Sequence, residues 1–175
     1  GPQGSQEARG GPPRSLAVAV GRVWEPVGSL GSCRAVAGMV AAAKDAYGRI
    51  DILVNNAAMF ATVPMSRAPF DRIEPTEWDR MMAVNLKGTW LACRAVVPHM
   101  REHSYGKIIN ISSGTALKGS DSRSHYVTSK AGILGFTRTL ARELGGDGIC
   151  VNCGEPIYHD DHHDVMPEPV RHEPP

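Results

Sequence analysis

The sequence lacks the features that mark several classes of protein. No apolar run approaches about 20 residues, the length that a membrane-spanning helix needs. The net charge is only +1, so no charge excess indicates nucleic acid or an anionic membrane as a partner. Four cysteines do not suggest a disulfide framework, and the first residues lack the pattern of a secretory signal. We therefore expect a cytoplasmic protein that binds neither nucleic acid nor membranes.

Both ends of the chain lack regular patterning. Residues 1–30 are rich in Gly, Pro, Ser and Arg, and residues 154–175 contain mainly acidic residues, histidines and prolines. We predict an irregular or disordered N-terminal segment and a disordered tail. One apolar run in the first segment, Leu16-Ala17-Val18-Ala19-Val20, is compatible with a strand. Residues 31–153 are left as a single core domain.

The core domain alternates helical and strand patterns. Runs of four or fewer apolar residues are typical of parallel strands that are covered on both faces. Strands that alternate with helices predict an α/β fold with a parallel sheet. We also expect a capping box at Thr76-Glu77-Trp78-Asp79, and a kink or an end of that helix at Pro98. The predicted elements are a helix over 35–47, a strand over 52–54, a helix from Thr76, a strand over 108–111, a helix over 125–144 and a strand over 148–151.

Tyr126 and Lys130 are the residues with the clearest chemistry. They lie four residues apart in Tyr126-Val127-Thr128-Ser129-Lys130, which places both on one face of a helix. A phenol ionises near pH 10 in water, and a fixed positive charge beside it favours the phenolate. Ser113 precedes the tyrosine by thirteen residues and follows an apolar strand. A serine hydroxyl at the same place would hydrogen-bond the oxygen with which the tyrosine exchanges a proton.

Four motifs together resemble the short-chain dehydrogenase/reductase family. Its hallmark is a serine followed by Y-x-x-x-K, here Ser113, Tyr126 and Lys130. The segment 51–58, which ends in Asn55-Asn56-Ala57-Ala58, is similar to the family's N-N-A-G strand end, with alanine in place of glycine. Asn85 lies where the family has a helix asparagine, and residues 106–113 resemble the strand that ends in the catalytic serine. The four motifs occur in the order that the family has.

The resemblance implies a fold, an activity and a set of site residues. The fold is a doubly wound parallel sheet of the Rossmann type, and the activity is NAD- or NADP-dependent interconversion of a ketone and a secondary alcohol. Members that reduce 3-oxoacyl thioesters or oxidise secondary alcohols are the most similar in character. Its implied catalytic set is Ser113, Tyr126, Lys130 and Asn85, and the implied cofactor-binding residues are Asn56, Ala57, Tyr126 and Lys130. His125, next to the tyrosine, is a further candidate for substrate contact.

The resemblance stops at both ends of the core. The family holds the cofactor diphosphate with a T-G-x-x-x-G-x-G turn, whose glycines let the backbone approach the phosphates. No such turn is present, since Gly28-Ser29-Leu30-Gly31 has the wrong spacing, and Ile157 stands where the family has the glycine of a later Pro-Gly pair. We therefore expect a Rossmann-like fold that is incomplete at both ends, with weak or absent cofactor affinity. The strand over 52–54 would then border either the run 16–20 or solvent.

Two other interpretations remain open from the sequence. The chain could be an inactive family fragment that serves as an interaction module, because the family's helices that carry Asn85 and Tyr126 commonly pair with their copies in a homo-oligomer. A zinc site is the second, since Cys150 and Cys153 form a C-x-x-C motif. Residues three apart on a strand point to opposite faces, so we predict no metal. The possible histidine ligands would be His159, His162 and His163.

Overall fold

The computed structural model describes residues 17–20, 33–60 and 65–155, and the predicted parallel α/β fold is confirmed in an incomplete form. Two short 3-10 turns lie at Phe70–Arg72 and Gly145–Asp147. The predicted tail lies outside the described residues from position 156 on. The elements are β1 (Ala17–Val20), α1 (Cys33–Tyr47), β2 (Ile52–Asn55), α2 (Pro75–Met82), a π-helical turn (Ala83–Lys87), α3 (Gly88–Arg101), β3 (Gly106–Ile111), α4 (Thr115–Lys118), α5 (Ser124–Leu144) and β4 (Ile149–Gly154).

The four described strands form one parallel sheet in chain order. β1 pairs with β2 in the register Val18 to Leu53, which answers the question of what borders the second strand. The run at 16–20 is therefore a strand, over Ala17–Val20. β2 pairs with β3, and β3 with β4 along its whole length. Each connection between neighbouring strands contains a helix, as parallel pairing requires.

One face of the sheet carries the main core. Leu53, Ile108 and Val151 occupy one register row across three strands, and all three are buried. Helices α1, α3 and α5 contribute to the same cluster, so these three helices pack on this face. The helix residues of the cluster include Val36, Val40, Leu91, Val96 and Leu144. Burial of this apolar area is the main force that holds the layers together.

The opposite face of the sheet is less covered. Residues of β2, β3 and β4 alternate between the buried face and this face, as strand geometry requires. Val54 and Ile109 are only partly buried, and Cys150 and Asn152 are exposed. Parallel sheets in doubly wound folds normally have both faces covered. The sheet therefore shows only part of the layering of such a fold among the described residues.

The expected capping box is wrong, and the helix that contains Pro98 does not end at this residue. Helix α2 begins at Pro75 after an N-cap at Glu74, with no side-chain capping bond, so the capping box at Thr76 does not form. Proline is favoured at this first helical position because its missing N–H has no partner there anyway. Pro98 lies inside α3, which continues to Arg101. Its position in the last turn leaves little helix to disrupt, so the loss of one backbone bond is tolerated.

None of the helices in the described ranges is both long and apolar enough to cross a bilayer.

Candidate functional site

The candidate site lies at the carboxyl edge of the sheet, where β2 and β3 end. Ser112 and Ser113 follow β3 directly, and the Ser112 backbone N–H extends the ladder by donating to the Gly154 carbonyl at 2.9 Å. Helix α5 follows after the short α4 and presents Tyr126 and Lys130 in its first two turns. Parallel strands bring their carboxyl ends to one edge, which is where open α/β sheets bind ligands.

Tyr126 and Lys130 lie together, as their spacing predicts. The Lys130 Nζ atom is 6.0 Å from the centroid of the Tyr126 ring. Tyr126 is only 6% exposed, and its ring packs against Phe60, with 5.0 Å between the ring centroids. Met59, Met81 and Val84 complete a small apolar cluster around the tyrosine. An apolar environment of this kind strengthens the interaction between a phenol and a nearby charge.

Lys130 is buried and held in place by the end of β3. It is 3% exposed, and its Nζ donates a hydrogen bond to the Ile111 carbonyl at 2.8 Å. The Ser112 hydroxyl donates to the Lys130 backbone carbonyl at 2.9 Å. The end of β3 is therefore bonded to both the side chain and the backbone of Lys130. Burial lowers the pKa of Lys130 to about 8, although the nearby Cys153 works to raise it. This lysine can therefore exchange a proton near neutral pH.

Ser113 stands at the turn between β3 and α4. Its hydroxyl oxygen lies 3.0 Å from the Thr115 hydroxyl and accepts a bond from the Thr115 backbone N–H at 3.4 Å. The side chain is half-buried, in contrast to the fully buried Ser112. Ser112 has a structural bond to α5, while Ser113 keeps a hydroxyl that can rotate toward a neighbouring oxygen. The two serines thus have different surroundings, and only Ser113 is partly accessible.

Asn85 lies in the π-helical turn Ala83–Lys87 rather than in a regular helix. Its Nδ2 donates to the Ser129 hydroxyl and to the Met81 sulfur, both at 3.0 Å, and its Oδ1 accepts from the Met59 backbone N–H at 2.8 Å. The Thr89 hydroxyl donates to its carbonyl at 2.9 Å. Asn85 therefore links the loop after β2 to helix α5. π-turns of this kind are frequent at functional sites.

A buried polar network below the site was missed by sequence reasoning. Asn55 donates to the Asn110 side-chain oxygen at 2.8 Å, and Asn110 donates to the Thr137 hydroxyl at 3.0 Å. Asn55 also approaches the Cys93 sulfur at 3.3 Å, and burial raises the pKa of the Cys93 thiol to about 12. Asparagines inside apolar strands were the available signal, because a strand core seldom buries an amide without a partner. The network joins β2, β3, α3 and α5 beneath the catalytic candidates.

The remaining predicted site residues have less specific surroundings. Asn56 is exposed just after β2, and Ala57 is half-buried and packs against the main core cluster. His125 is fully buried, with its Nε2 atom 3.3 Å from Glu77 Oε1. All four cysteines are free thiols. Among the described residues no group of three or more His, Cys, Asp or Glu side chains could hold a metal ion, and the tail histidines lie outside them.

A family comparison matches this arrangement. The sequence model described as "short chain dehydrogenase" matches residues 24–164, which is more than half of the chain. The chain belongs to the short-chain dehydrogenase family. The match includes the N-N-A-A strand end, the Asn85 turn, Ser113 and the Tyr126–Lys130 pair. The family recognised from four motifs is thereby confirmed.

This chain matches only part of the length of each relative. The (2S)-[(R)-hydroxy(phenyl)methyl]succinyl-CoA dehydrogenase subunit BbsD of Thauera aromatica is 44% identical over 84% of this chain and 57% of that protein. The 3-oxoacyl-[acyl-carrier-protein] reductase of Thermotoga maritima is 41% identical over 64% of this chain and 44% of that protein. The chain spans about half the length of the curated relatives that it matches.

Solved structures give the same picture. A structure of NAD+-bound xylitol dehydrogenase superposes with a TM-score of 0.68 at 31% identity, covering 73% of this chain and 48% of that one. A metagenomic short-chain oxidoreductase in complex with NADP superposes with a TM-score of 0.66 at 35% identity, covering 73% and 56%. The sheet and helices described above therefore correspond to about half of a family fold.

Proposed function

We propose that the protein takes part in the reversible conversion of a ketone into a secondary alcohol, with NAD or NADP as the hydride carrier. The observation that carries this proposal is the placement of Tyr126 beside the buried Lys130 at the carboxyl edge of the sheet. A buried cation next to a phenol is an arrangement that favours proton exchange at a substrate oxygen. The family membership supports the same reaction class.

The residues present suit one half of a nicotinamide cofactor better than the other. The Lys130 ammonium has further donors beyond the one that bonds the Ile111 carbonyl, and these suit ribose hydroxyls beside Tyr126. Asn56 and Ala57 stand at the end of β2, where the adenosine side would lie. The glycine-rich turn that would hold the diphosphate is not found among the described residues or in the sequence around them. The same cofactor class is bound in the solved structures named above.

The chain's own side chains would manage the proton. A nicotinamide cofactor held by Lys130, Asn56 and Ala57 would supply the hydride chemistry. In the direction of reduction, Tyr126 donates its phenolic proton to the carbonyl oxygen, and Ser113 donates a hydrogen bond to the same oxygen. Lys130 stabilises the phenolate that remains. Asn85 acts indirectly, because it holds Ser129 and the Met59 backbone in place and does not contact the reacting atoms.

The substrate is expected to carry an apolar group. Phe60 packs on the Tyr126 ring, and Phe60 and Met65 are only partly buried, so a substrate would meet apolar side chains beside this tyrosine. The Thauera relative is named for a substrate with a phenyl group, and the Thermotoga relative for a 3-oxoacyl thioester. Aryl ketones and 3-oxoacyl thioesters are therefore the first compounds to assay.

The proposal is tested by the rate of ketone reduction at millimolar NADH and NADPH. We expect Tyr126→Phe to lower the rate by at least about 100-fold, because it removes only the proton donor. Ser113→Ala should lower it by about 10-fold or more, since one hydrogen bond to the reacting oxygen is lost. Thr128→Ala is the control for the loss of an exposed hydroxyl on the same helix, and it should leave the rate within about twofold of the wild type. Rates that do not depend on Tyr126 would contradict the proposal.

We also propose a homo-oligomer that assembles through the helices carrying Asn85 and Tyr126. Trp78 of α2 and Trp90 of α3 are exposed by 36% and 42%, and exposed tryptophans are typical of interfaces. A defined dimer without turnover would favour the alternative that the chain is an inactive interaction module. The four free thiols fit a reducing compartment, so we propose a cytoplasmic location.

A further inference from the structure

His125 has an unusual environment for a residue in the first turn of a helix. It is fully buried, and its Nε2 atom lies 3.3 Å from Glu77 Oε1. Its Nδ1 atom is also buried and makes no hydrogen bond with any described residue. Burying an unused ring nitrogen costs free energy, so the contact with Glu77 has to offset that cost.

Glu77 joins His125 to a third part of the chain. Its Oε1 atom also accepts a hydrogen bond from the Ser66 backbone N–H at 2.5 Å. Burial works to raise the pKa of Glu77, but the bonds from Ser66 and His125 outweigh it, and the pKa lies below its ordinary value. The carboxylate is therefore charged at neutral pH. It connects the segment before α2, helix α2 itself and helix α5.

The first turn of α5 is packed through the Tyr126 ring but has no side-chain cap. Its N-cap residue, Arg123, makes no side-chain capping bond. A helix start without a cap frays more easily, because its first N–H groups lack partners. The first turn is closed by the bond from the Val127 N–H to the Arg123 carbonyl at 2.9 Å. Tyr126 lies in this turn, directly after His125.

We propose that His125 and Glu77 form a positioning pair, which fixes the first turn of α5 against α2 and thereby sets the place of the Tyr126 phenol. The pair does not touch the substrate; it acts through Tyr126. This proposal rests on the proposed function for its effect on catalysis. Its structural part, the restraint on the first turn of α5, stands on the contacts alone.

Hydrogen exchange at the Val127 amide tests the restraint directly. We expect Glu77→Leu and His125→Leu each to speed exchange by about tenfold, because the turn then opens more often. His125→Gln should stay within about twofold of the wild type, since its amide can still donate to Glu77. Asp147→Asn is the control, because it breaks an exposed pair with Arg101 at the other edge of the sheet. Unchanged exchange in Glu77→Leu would overturn the proposal, even if His125→Leu fails to fold.

Steady-state kinetics tests the consequence for catalysis. In Glu77→Leu we expect kcat to fall by about tenfold with KM within about twofold, because the phenol is misplaced while the substrate surface remains. His125→Gln should keep most of the wild-type kcat. Faster Val127 exchange with an unchanged kcat would overturn the positioning role but not the proposed function. Absence of turnover in every variant and in the wild type would count against the proposed function, and the exchange measurement would still decide the restraint.

Discussion

At the scale of single residues, Lys130 is the group whose surroundings have the largest consequence. Its ammonium is buried between β3 and α5, with the Ile111 carbonyl as its acceptor. One carbonyl replaces only part of the water that surrounds a free ammonium, so the charged form is destabilised in the folded state. The same burial holds the charge close to Tyr126 and keeps it from being screened.

The free energy of unfolding should depend on the protonation of Lys130. Burial lowers its pKa from 10.5 to about 8, so between these values the unfolded chain binds a proton that the folded chain does not. Stability from this group therefore rises as the pH increases from 8 to 10.5, by about 3 kcal/mol at most. Urea unfolding of the wild type and Lys130→Met over this range measures it.

The comparison with the variant is needed because other groups titrate in the same range. The buried Cys93 thiol, with its pKa raised to about 12, acts in the opposite direction, since the unfolded thiol ionises first. The difference between the two proteins removes that contribution. A difference that stays constant from pH 8 to 10.5 would show that Lys130 is not destabilised by burial.

At the scale of elements, the sequence predicted what depends on local pattern. The helices at 35–47 and 125–144 and the strands at 52–54 and 108–111 were confirmed with shifts of a few residues at most. Their signals, which are alanine propensity, helical spacing and short apolar runs, are all local in the sequence. The π-turn around Asn85 could not be predicted, since its shape depends on bonds to Met59 and Ser129, which are distant in sequence. The Glu77 contacts were missed for the same reason, since the segment Thr76-Glu77-Trp78-Asp79 is also compatible with a local capping box.

Asn85 is expected to be important for stability as well as for the site. Asn85→Ala would leave the Met59 N–H without its acceptor and the Ser129 hydroxyl without its donor. Buried groups that lose their partners cost about 1–3 kcal/mol each, so we expect a loss of about 2–6 kcal/mol in the free energy of unfolding. Asn152→Ala, at an exposed strand position, should change it by less than about 0.5 kcal/mol. Equal effects of the two substitutions would contradict this role.

Gly148 shapes the entry into β4. It has φ of +72°, and a Cβ atom there would lie 2.2 Å from the Ser104 carbonyl oxygen. Gly148→Ala should therefore destabilise the fold by more than about 1 kcal/mol, because both the backbone conformation and the contact are unfavourable. Gly38→Ala, in an open position on α1, should instead stabilise by up to about 1 kcal/mol. Thermal unfolding of both variants tests the pair, and a stabilised Gly148→Ala protein would refute the argument.

At the scale of the whole molecule, the sheet of the described residues is smaller than that of a family member. In the part of the chain that the structure describes, four strands and the helices on one face correspond to about half of a family member. The motifs that we propose for proton transfer lie inside this half, and they are candidates because of their spacing within one helix and at one strand end. The glycine-rich turn is not found among the described residues, and the sequence around them already indicated that it is absent there.

Cofactor affinity should therefore be weak. Without the turn that holds the diphosphate, we expect dissociation constants of about 1 mM or weaker for NADH and NADPH. Titration of each nucleotide followed by its fluorescence measures this. Micromolar binding by monodisperse protein would be incompatible with the expectation, and would require another anchor for the phosphates.

The central claim is that Tyr126 and a nicotinamide cofactor act together on one carbonyl group. The most direct test is a long incubation of an aryl ketone with NADH and NADPH that carry deuterium at the transferable position, followed by mass spectrometry of the alcohol. Slow turnover is sufficient for this measurement. The account predicts one deuterium at the carbinol carbon with the wild type and none above background with Tyr126→Phe. Equal labelling by the two proteins, or an alcohol formed without deuterium, would contradict it.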